Sequence, residues 1–572
     1  MKRNTAALVD REFDVLILGG GIFGACAAWD ATLRGMRVAL IERDDFGCGA
    51  SANSFKMIHG GIRYLQHADF RRLRRSCFER SAMLRIAPHL VHPLPIVIPT
   101  YGRLQKGKPF LAAGMLLFDM LTYDRNRAIV DKNQHIPVSR FLSRRRVLDL
   151  FPGLDTHGLT GAAMFWDGQM YNPTRLVLAF IQSAVDAGAT ICNHVEATHL
   201  LTQKDVITGV EARDVLTGDS FSVRAKVTLN TAGPWAEQLL NEGGTQTRVE
   251  AGSYSRDACF VIPRRFNHPY GLALQGRTHD PGAIVSRQAR HLFLVPWRDH
   301  TLVGVWHLIW NKGPDAVQVR DSELRSYVEE INWAYPGLHL DPHDITMWNA
   351  GLVPFGQNAA GAIDLRYGKE SRLVDHQKTS SLKGLVTLIG IRYTMGRGDA
   401  ALAIDMVSSK LGRHSAPAPT HRIPVLGGQI DNLTDLARTV AREQPFSLDP
   451  EVLEAMLHNY GTEYRTLLEL ISLDNSLKQR LGATCVLHAE VVNAVRNEMA
   501  MSLSDIVFRR TDLATGRHPG DATLALCARL AARELGWSDS LMNSQLEHVR
   551  SRVPIPGHLR DSYGVPSIDA SH

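Results

Sequence analysis

The chain has 572 residues, 44% of them apolar, with 64 Lys and Arg against 58 Asp and Glu for a formal net charge of +6. This length exceeds what one hydrophobic core supports and predicts several domains; the apolar content excludes a disordered or fibrous chain, and the charge is too small for the size to announce nucleic acid as a partner. Seven cysteines, none in a CxxC pair, argue against a disulfide framework and a structural zinc site, so no metal is expected and a reducing cytoplasm is the simplest setting.

The polar stretch Met1 to Glu12 carries no export signal. From Phe13 the run FDVLIL, a glycine turn, a helical stretch bearing Phe23, Ala27, Ala31 and Arg34, and the run RVALIE predict a strand, helix and strand in succession. Residues 69 to 86 predict a helix with Arg71, Arg72, Arg74 and Arg75 on its flanks; a solvated basic face and contact with acidic lipid or phosphate both fit. The longest apolar segment, Phe110 to Met120, is interrupted by Asp119 and falls short of the roughly 20 residues a bilayer crossing needs, although it can still touch a membrane surface. A strand-rich stretch from Ala189 to Thr231 ends in KVTLNTAGPW, and HLFLVPW with TLVGVW over 291 to 306 predicts a buried hairpin. LVTLIGI at 385 to 391 predicts another buried strand, followed by a helix with Ala400, Ile404, Val407 and Leu411 at helical spacing. Proline and small polar residues at 413 to 424 mark a linker. Beyond it Val486, Ala489, Val492 or Asn493, and Met499, then Leu524, Cys527 and Leu530, trace helical stripes, and the prolines from Pro554 onward predict a loose tail.

Gly19, Gly21 and Gly24 supply GxGxxG spacing where the first strand turns into the helix, which lets the backbone approach a pyrophosphate at a helix amino terminus. Glu42, about 20 residues on at the end of the second strand, is placed to accept ribose hydroxyls. FAD is preferred to NAD because the loop lies at the amino terminus and is followed by GCGASANSFKMIHGGIRYL, whose small residues let the chain run close along a ribityl and ring system.

These stretches, with ERSAMLRIAPHLVHPLPIVIPTY, NTAGPW and AEVVNAVRNEMAMSLSDIVFRRT, resemble the FAD-dependent glycerol-3-phosphate dehydrogenase family within the D-amino-acid-oxidase-like flavoproteins, over almost the whole chain. The resemblance implies an α/β fold: a two-dinucleotide-binding, Rossmann-like FAD domain interleaved with an antiparallel β substrate domain, plus a C-terminal helical domain. Its expected extents are 13–412 for the oxidoreductase region, with FAD pieces near 13–68, 170–250 and 350–412 and substrate pieces near 69–169 and 251–349. A linker at 413–424, the helical domain at 425–553 and a flexible tail at 554–572 complete the expectation. Gly19, Gly21, Gly24 and Glu42 would hold the adenosine diphosphate half, Ser51, His59, Gly60 and Gly61 would lie along the flavin, and Ala232 and Gly233 would complete the cradle.

The implied chemistry is hydride transfer from a CH–OH carbon to flavin N5, with a small alcohol or polyol phosphate, by default glycerol 3-phosphate, as substrate. It further implies a quinone or other electron acceptor, peripheral contact with the inner face of the cell membrane, and leaves a homodimer open. Several substrate-side positions depart from the family pattern: Asn53 and Val353 stand where arginines are usual, Cys259 where a His is usual, and Trp306-His307 where Thr-Asp is usual. Arg392 replaces a Lys, while Arg397 and Arg366 are retained. His307, which could accept a hydroxyl proton, and Arg366 and Arg392, as anion clamps or flavin-carbonyl partners, are the catalytic candidates; a packed histidine and structural arginines are the plainer readings. Trp306 and Trp310 fit either a pocket lining or core packing. The departures admit an alternative, oxidation of an unphosphorylated alcohol, hydroxy acid or amine, and beyond it a catalytically silent binding subunit.

Overall fold

The computed structural model describes residues 1–102, 108–242, 254–279, 289–354, 371–414 and 416–563. Two sheets organise it. In the first, the strands run in the order Arg372–Asp375, Leu385–Ile389, Ser220–Asn230, Phe13–Leu18, Val38–Ile41 and Thr190–Cys192. All neighbours pair in parallel except the edge strand Arg372–Asp375. Every residue of Phe13–Leu18 is buried, as a strand covered on both faces must be. Val15 and Ile17 pack against the helices Ile22–Leu33, Pro173–Asp186 and Gly396–Lys410 through Ala28, Trp29, Phe180 and Ile404. Leu16 and Leu18 pack under the antiparallel pair Val195–Gln203 and Val206–Asp214, through Leu200, Ile207 and Val210. The strand, helix and strand predicted from Phe13 onward are therefore the centre of this layer.

The second sheet is mostly antiparallel. Its order is Met347–Pro354, Tyr254–Ile262, His300–Trp310, Ala289–Trp297, Gly271–His279, Val91–Tyr101, Leu159–Met170 and Met57–Ile58. The hairpin expected at 291–306 is the central pair, with Phe293 opposite Gly304. One face is closed by the helix Asp321–Ala334, where Phe260, Leu294, Val303 and Trp306 meet Leu324, Tyr327 and Ile331. The other face is covered in part by the carboxy-terminal helices, which meet Val261, Val295 and Leu302. The strands Met57–Ile58 and Met347–Pro354 belong to this second sheet, although the sequence reading assigned 13–68 and 350–412 to the nucleotide-binding part. The helix Phe70–Ile86, capped by the Asp69 carboxylate accepting from Arg72 N–H, packs Met83, Leu84 and Ile86 into the nucleotide-side core. Periodicity finds such elements, but the layer each joins depends on distant partners.

Of the carboxy-terminal helices, His488–Glu498, Asp521–Leu535 and Asp539–Arg552 lie against the second sheet through Val261, Val295 and Trp297, while Pro450–Tyr460 packs in a separate helical core with Leu467, Ile471 and Val492. Two expectations about connecting segments change. Within 413–424 Thr420 is fully buried, its hydroxyl accepting from Arg397 Nη1 at 3.1 Å, and Arg85 donates to the His421 carbonyl at 2.8 Å, so this stretch is packed down. The start of the expected loose tail is also anchored. Ile555 is buried, Trp348 N–H donates to the Pro554 carbonyl at 2.8 Å, and Gly557 N–H donates to the Asp321 carboxylate at 3.0 Å before a last helix, Gly557–Ser562. Proline content alone missed the apolar anchor.

Candidate active site

A cavity of about 950 Å³ lies between the two sheets, in the size range of small-molecule sites. At one end the first strand delivers the chain into Gly19, whose N–H donates to the Ile41 carbonyl at 2.9 Å and whose φ is +101°. A Cβ there would sit 2.9 Å from Ala232 Cα, so only glycine permits this approach. Gly20 N–H donates to Glu42 Oε2 at 2.6 Å, and Asp44 N–H donates to Glu42 Oε1 at 2.9 Å. Burial pushes the Glu42 carboxyl up and these two N–H groups pull it back, with the balance upward. Each oxygen keeps a further lone pair for a ribose hydroxyl. Gly21 is the N-cap of Ile22–Leu33, and Ser51 Oγ accepts from Ile22 N–H at 3.0 Å, which brings Ser51 to the helix terminus where an anion is favoured.

Gly24 and Gly60 do not line the cavity. A Cβ on Gly24 would fall 1.9 Å from the Gly19 carbonyl oxygen, so this glycine closes the helix onto the loop. Gly60 lies behind the wall: its N–H donates to Asp167 Oδ1 at 2.5 Å, and a Cβ would meet Arg80 Nη1 at 2.1 Å. His59 and Gly61 do face the cavity, His59 N–H donating to Thr394 Oγ1 at 2.9 Å and its Nδ1 lying 3.4 Å from Asp167 Oδ2. Ala232 and Gly233 line it too, the turn being fixed by Ala232 N–H donating to Asn230 Oδ1 at 3.1 Å.

On the facing wall, alternate residues of Tyr254–Ile262 and His300–Trp310 present Asp257, Cys259, Val305 and His307. His307 Nδ1 is 2.8 Å from Asp257 Oδ1. Burial pushes the Cys259 thiol up to about 11, which leaves it a neutral, compact wall residue. Asn53, Phe55, Phe293 and Val353 line the same region. Trp306 points the other way, stacked on Tyr327 at 4.3 Å with its indole N–H donating to Glu330 Oε2 at 2.7 Å; Trp310 is likewise buried and absent from the lining. Strand alternation sends a neighbour of His307 into the opposite core.

Arg392 lines the cavity over the ring of Tyr64 at 5.0 Å, and burial lowers its otherwise very high pKa. Arg366 lies outside the described residues. Arg397 is structural: its guanidinium pairs with buried Glu79, Nε donating at 2.8 Å and Nη2 at 2.5 Å. Of the basic helix face, Arg74 meets Asp124 at 2.5 Å, Arg75 meets Asp399 at 2.5 Å and Arg72 meets Asp69 at 3.0 Å, so carboxylates answer three of its four arginines.

Sequence reasoning did not single out Asp257, Asp167 or Lys56. Lys56 is buried, with Nζ donating to Asn349 Oδ1 at 3.2 Å and lying over the Trp297 ring at 4.8 Å; burial pushes it down to about 8. A lysine before the IHGG run was visible, but its burial was not. The donor set fits an FAD: a glycine cradle that a Cβ would fill, a helix terminus, a carboxylate for the ribose, and a long cavity running on to the facing wall.

Comparison with known proteins agrees. The family described as FAD dependent oxidoreductase matches residues 14–380, and the C-terminal domain of alpha-glycerophosphate oxidase matches residues 418–541. The glycerol-3-phosphate dehydrogenase of Synechocystis is 30% identical, over 95% of this chain and 97% of its own length. The mitochondrial glycerol-3-phosphate dehydrogenase of Bos taurus is 30% identical over 94% of this chain and 73% of its own length. The crystal structure of glycerol-3-phosphate dehydrogenase from Bacillus halodurans complexed with FAD shares the fold, with TM-score 0.73 at 21% identity and 95% of both chains covered. A glycine cradle joined to a substrate-facing antiparallel sheet, and likeness along nearly the whole length, lead to one assignment: the chain belongs to the glycerol-3-phosphate dehydrogenase family of FAD-dependent oxidoreductases.

Proposed function

We propose that this chain oxidises the CH–OH group of a small polyol phosphate, with glycerol 3-phosphate as the default substrate. The observation that carries the reading is the single cavity that joins the glycine cradle to a wall bearing Arg392 and the His307–Asp257 pair. The names of the Synechocystis and bovine relatives supply the substrate. FAD, when bound, supplies the two-electron acceptor. Glu42 would hold its ribose hydroxyls, the Gly19–Gly21 loop with Ser51 its pyrophosphate, and His59, Gly61, Ala232 and Gly233 would border the remainder. Arg392 offers the cation for a substrate anion or a flavin carbonyl, and His307 the acceptor for the hydroxyl proton. Arg366 joins this set on the family resemblance alone.

A second reading is favoured by the wall itself. Asn53, Phe55, Cys259, Phe293, Val305 and Val353 give the part of the wall around Asp257 and His307 a largely apolar surface, which suits an unphosphorylated alcohol, hydroxy acid or amine. No helix among the described residues is long and apolar enough to cross a membrane. Leu116, Leu117 and Met120 are exposed on the helix Lys108–Leu121, with Tyr123 just beyond it and Phe70 exposed on a neighbouring helix, which supports peripheral contact with the inner membrane face and a quinone as electron acceptor. Anaerobic titration of the purified holoenzyme tests the substrate. Bleaching of the flavin absorbance by millimolar glycerol 3-phosphate is the expected result. Bleaching only by an unphosphorylated alcohol, hydroxy acid or amine transfers the assignment to the second reading, and a loaded flavin that none of them bleaches overturns both.

A further inference from the structure

Asp257 and His307 lie directly opposite one another in the antiparallel pairing of Tyr254–Ile262 with His300–Trp310, and both side chains line the cavity. His307 Nδ1 is 2.8 Å from Asp257 Oδ1, and that same oxygen accepts from Ser255 Oγ at 2.6 Å. The backbone beneath them is clamped from the other face of the sheet. Arg256 donates to Glu323 Oε1 at 2.7 Å, to Glu323 Oε2 at 3.0 Å and to Tyr327 OH at 3.0 Å, and Tyr327 stacks in turn on Trp306. Each residue of the pair thus has a chain neighbour locked into the core behind it, so the imidazole and the carboxylate are held in register by packing that does not depend on the ligand.

We propose that Asp257 is the positioning residue for His307, holding the imidazole in the Nδ1–H tautomer so that Nε2 is the nitrogen that takes the substrate's hydroxyl proton. The inference rests on the reading of His307 as proton acceptor. A neutral imidazole has one donor nitrogen and one acceptor nitrogen, and an ionised carboxylate only accepts, so a carboxylate at Nδ1 decides the role of both ring atoms. The hydroxyl would give up its proton to Nε2 as the carbinol carbon loses its hydride to the two-electron acceptor that a bound FAD would supply, which leaves a carbonyl. The imidazolium formed faces the Asp257 charge across 2.8 Å, a favourable pairing in a partly dehydrated site.

The experiment uses holoenzyme labelled with 15N-histidine, the His307 signals being those lost in His307→Gln. The wild-type ring is expected to carry its proton on Nδ1, and Asp257→Asn to shift the population toward Nε2–H. In turnover, Asp257→Asn is expected to lower kcat about 100-fold or more while KM stays within about threefold, and to cause no further loss in the His307→Gln background. Asp257→Glu is expected to recover part of kcat, and flavin absorbance shows that each variant still holds cofactor. A wild-type ring protonated on Nε2, or losses that multiply in the double variant, overturns the proposal. The tautomer is read without substrate, so failure of the substrate assignment, seen as a wild-type flavin that stays oxidised, is a separate result.

Discussion

The two ends of the cavity are built from different materials. At the nucleotide end the main chain sets the geometry: the N–H of Gly19 is tied to the Ile41 carbonyl and those of Gly20 and Ile22 to the Glu42 and Ser51 side chains, and the approach of Gly19 to Ala232 leaves no room for a side chain. At the facing wall the functional groups are side chains on strands whose backbones are fixed from behind by Phe260, Trp306 and Tyr327. Substitution at the first end disturbs the fold, whereas substitution at the second changes chemistry and leaves the strands where they are. A changed side chain at Asn53, Cys259, His307 or Val353 is therefore expected to alter the chemistry of the cavity without moving the backbone.

The sharpest break of that contrast is at Gly24. Alanine there places a methyl 1.9 Å from the Gly19 carbonyl oxygen and 2.7 Å from Thr231 Oγ1, contacts that only a shift of the loop can relieve. Gly24→Ala is expected to purify without FAD, measured by the flavin fluorescence released on denaturation. Cys259→Ser, at the other end, is expected to remain fully loaded. Equal loading of the two variants would erase the distinction between the ends.

Much of the nucleotide end was legible because its signals are local. A run of six residues of which five are apolar, three spaced glycines and an acid about 20 residues on are all visible within 30 positions. The facing wall was legible only in part. His307 could be marked from its place after TLVGVW, but its partner Asp257 is 50 positions away and is named by strand register, which no window of sequence contains. Asp167, which satisfies Gly60 N–H and approaches His59, lies 107 positions from Gly60. Trp306 fits either pocket or core by sequence alone, and the direction of the strand's alternation places it in the core. The anchored segment after Pro554 was missed because proline content reports turn tendency, whereas Ile555 reports burial.

Behind the cradle the same logic reaches the carboxy-terminal helices. Asp45 receives two hydrogen bonds from Arg510, at 2.7 and 2.8 Å, and one from Arg509 at 2.6 Å, and both Asp45 and Arg510 are fully buried. Burial alone would raise the Asp45 carboxyl, but Arg510 and Arg509 outweigh it and hold it below its ordinary value. Asp45→Asn leaves Arg510 without a counter-charge and is expected to destabilise the protein by about 3–5 kcal/mol, read as a fall in Tm. A carboxyl whose folded pKa is depressed contributes stability above its unfolded pKa of about 3.9, and that contribution is lost as pH falls toward the folded value. Wild type is therefore expected to lose its advantage over Asp45→Asn below about pH 4. An unchanged difference between the two at pH 3 and pH 7 would remove this ion cluster from the account of how the cradle is braced.

The smallest effect is expected at Val353 on the facing wall. Val353 lines the cavity on the strand Met347–Pro354, at a position where the family resemblance places an arginine. Its strand is paired along its length with Tyr254–Ile262, so the Cα is already set by backbone hydrogen bonds and a longer side chain has the cavity to extend into. Val353→Arg is expected to keep FAD and to strengthen binding of glycerol 3-phosphate by one charge-assisted contact, about 1.5–3 kcal/mol, or roughly 10- to 150-fold in KM if substrate binding is at equilibrium. Binding of an unphosphorylated polyol should change by less than threefold, because it offers the new guanidinium no anion. If both ligands tighten equally, the arginine is acting through packing rather than charge, and the want of a cation at position 353 is not what limits phosphate recognition. If only the phosphate tightens, side-chain charge at this end of the cavity is what sets the choice between phosphorylated and unphosphorylated substrates.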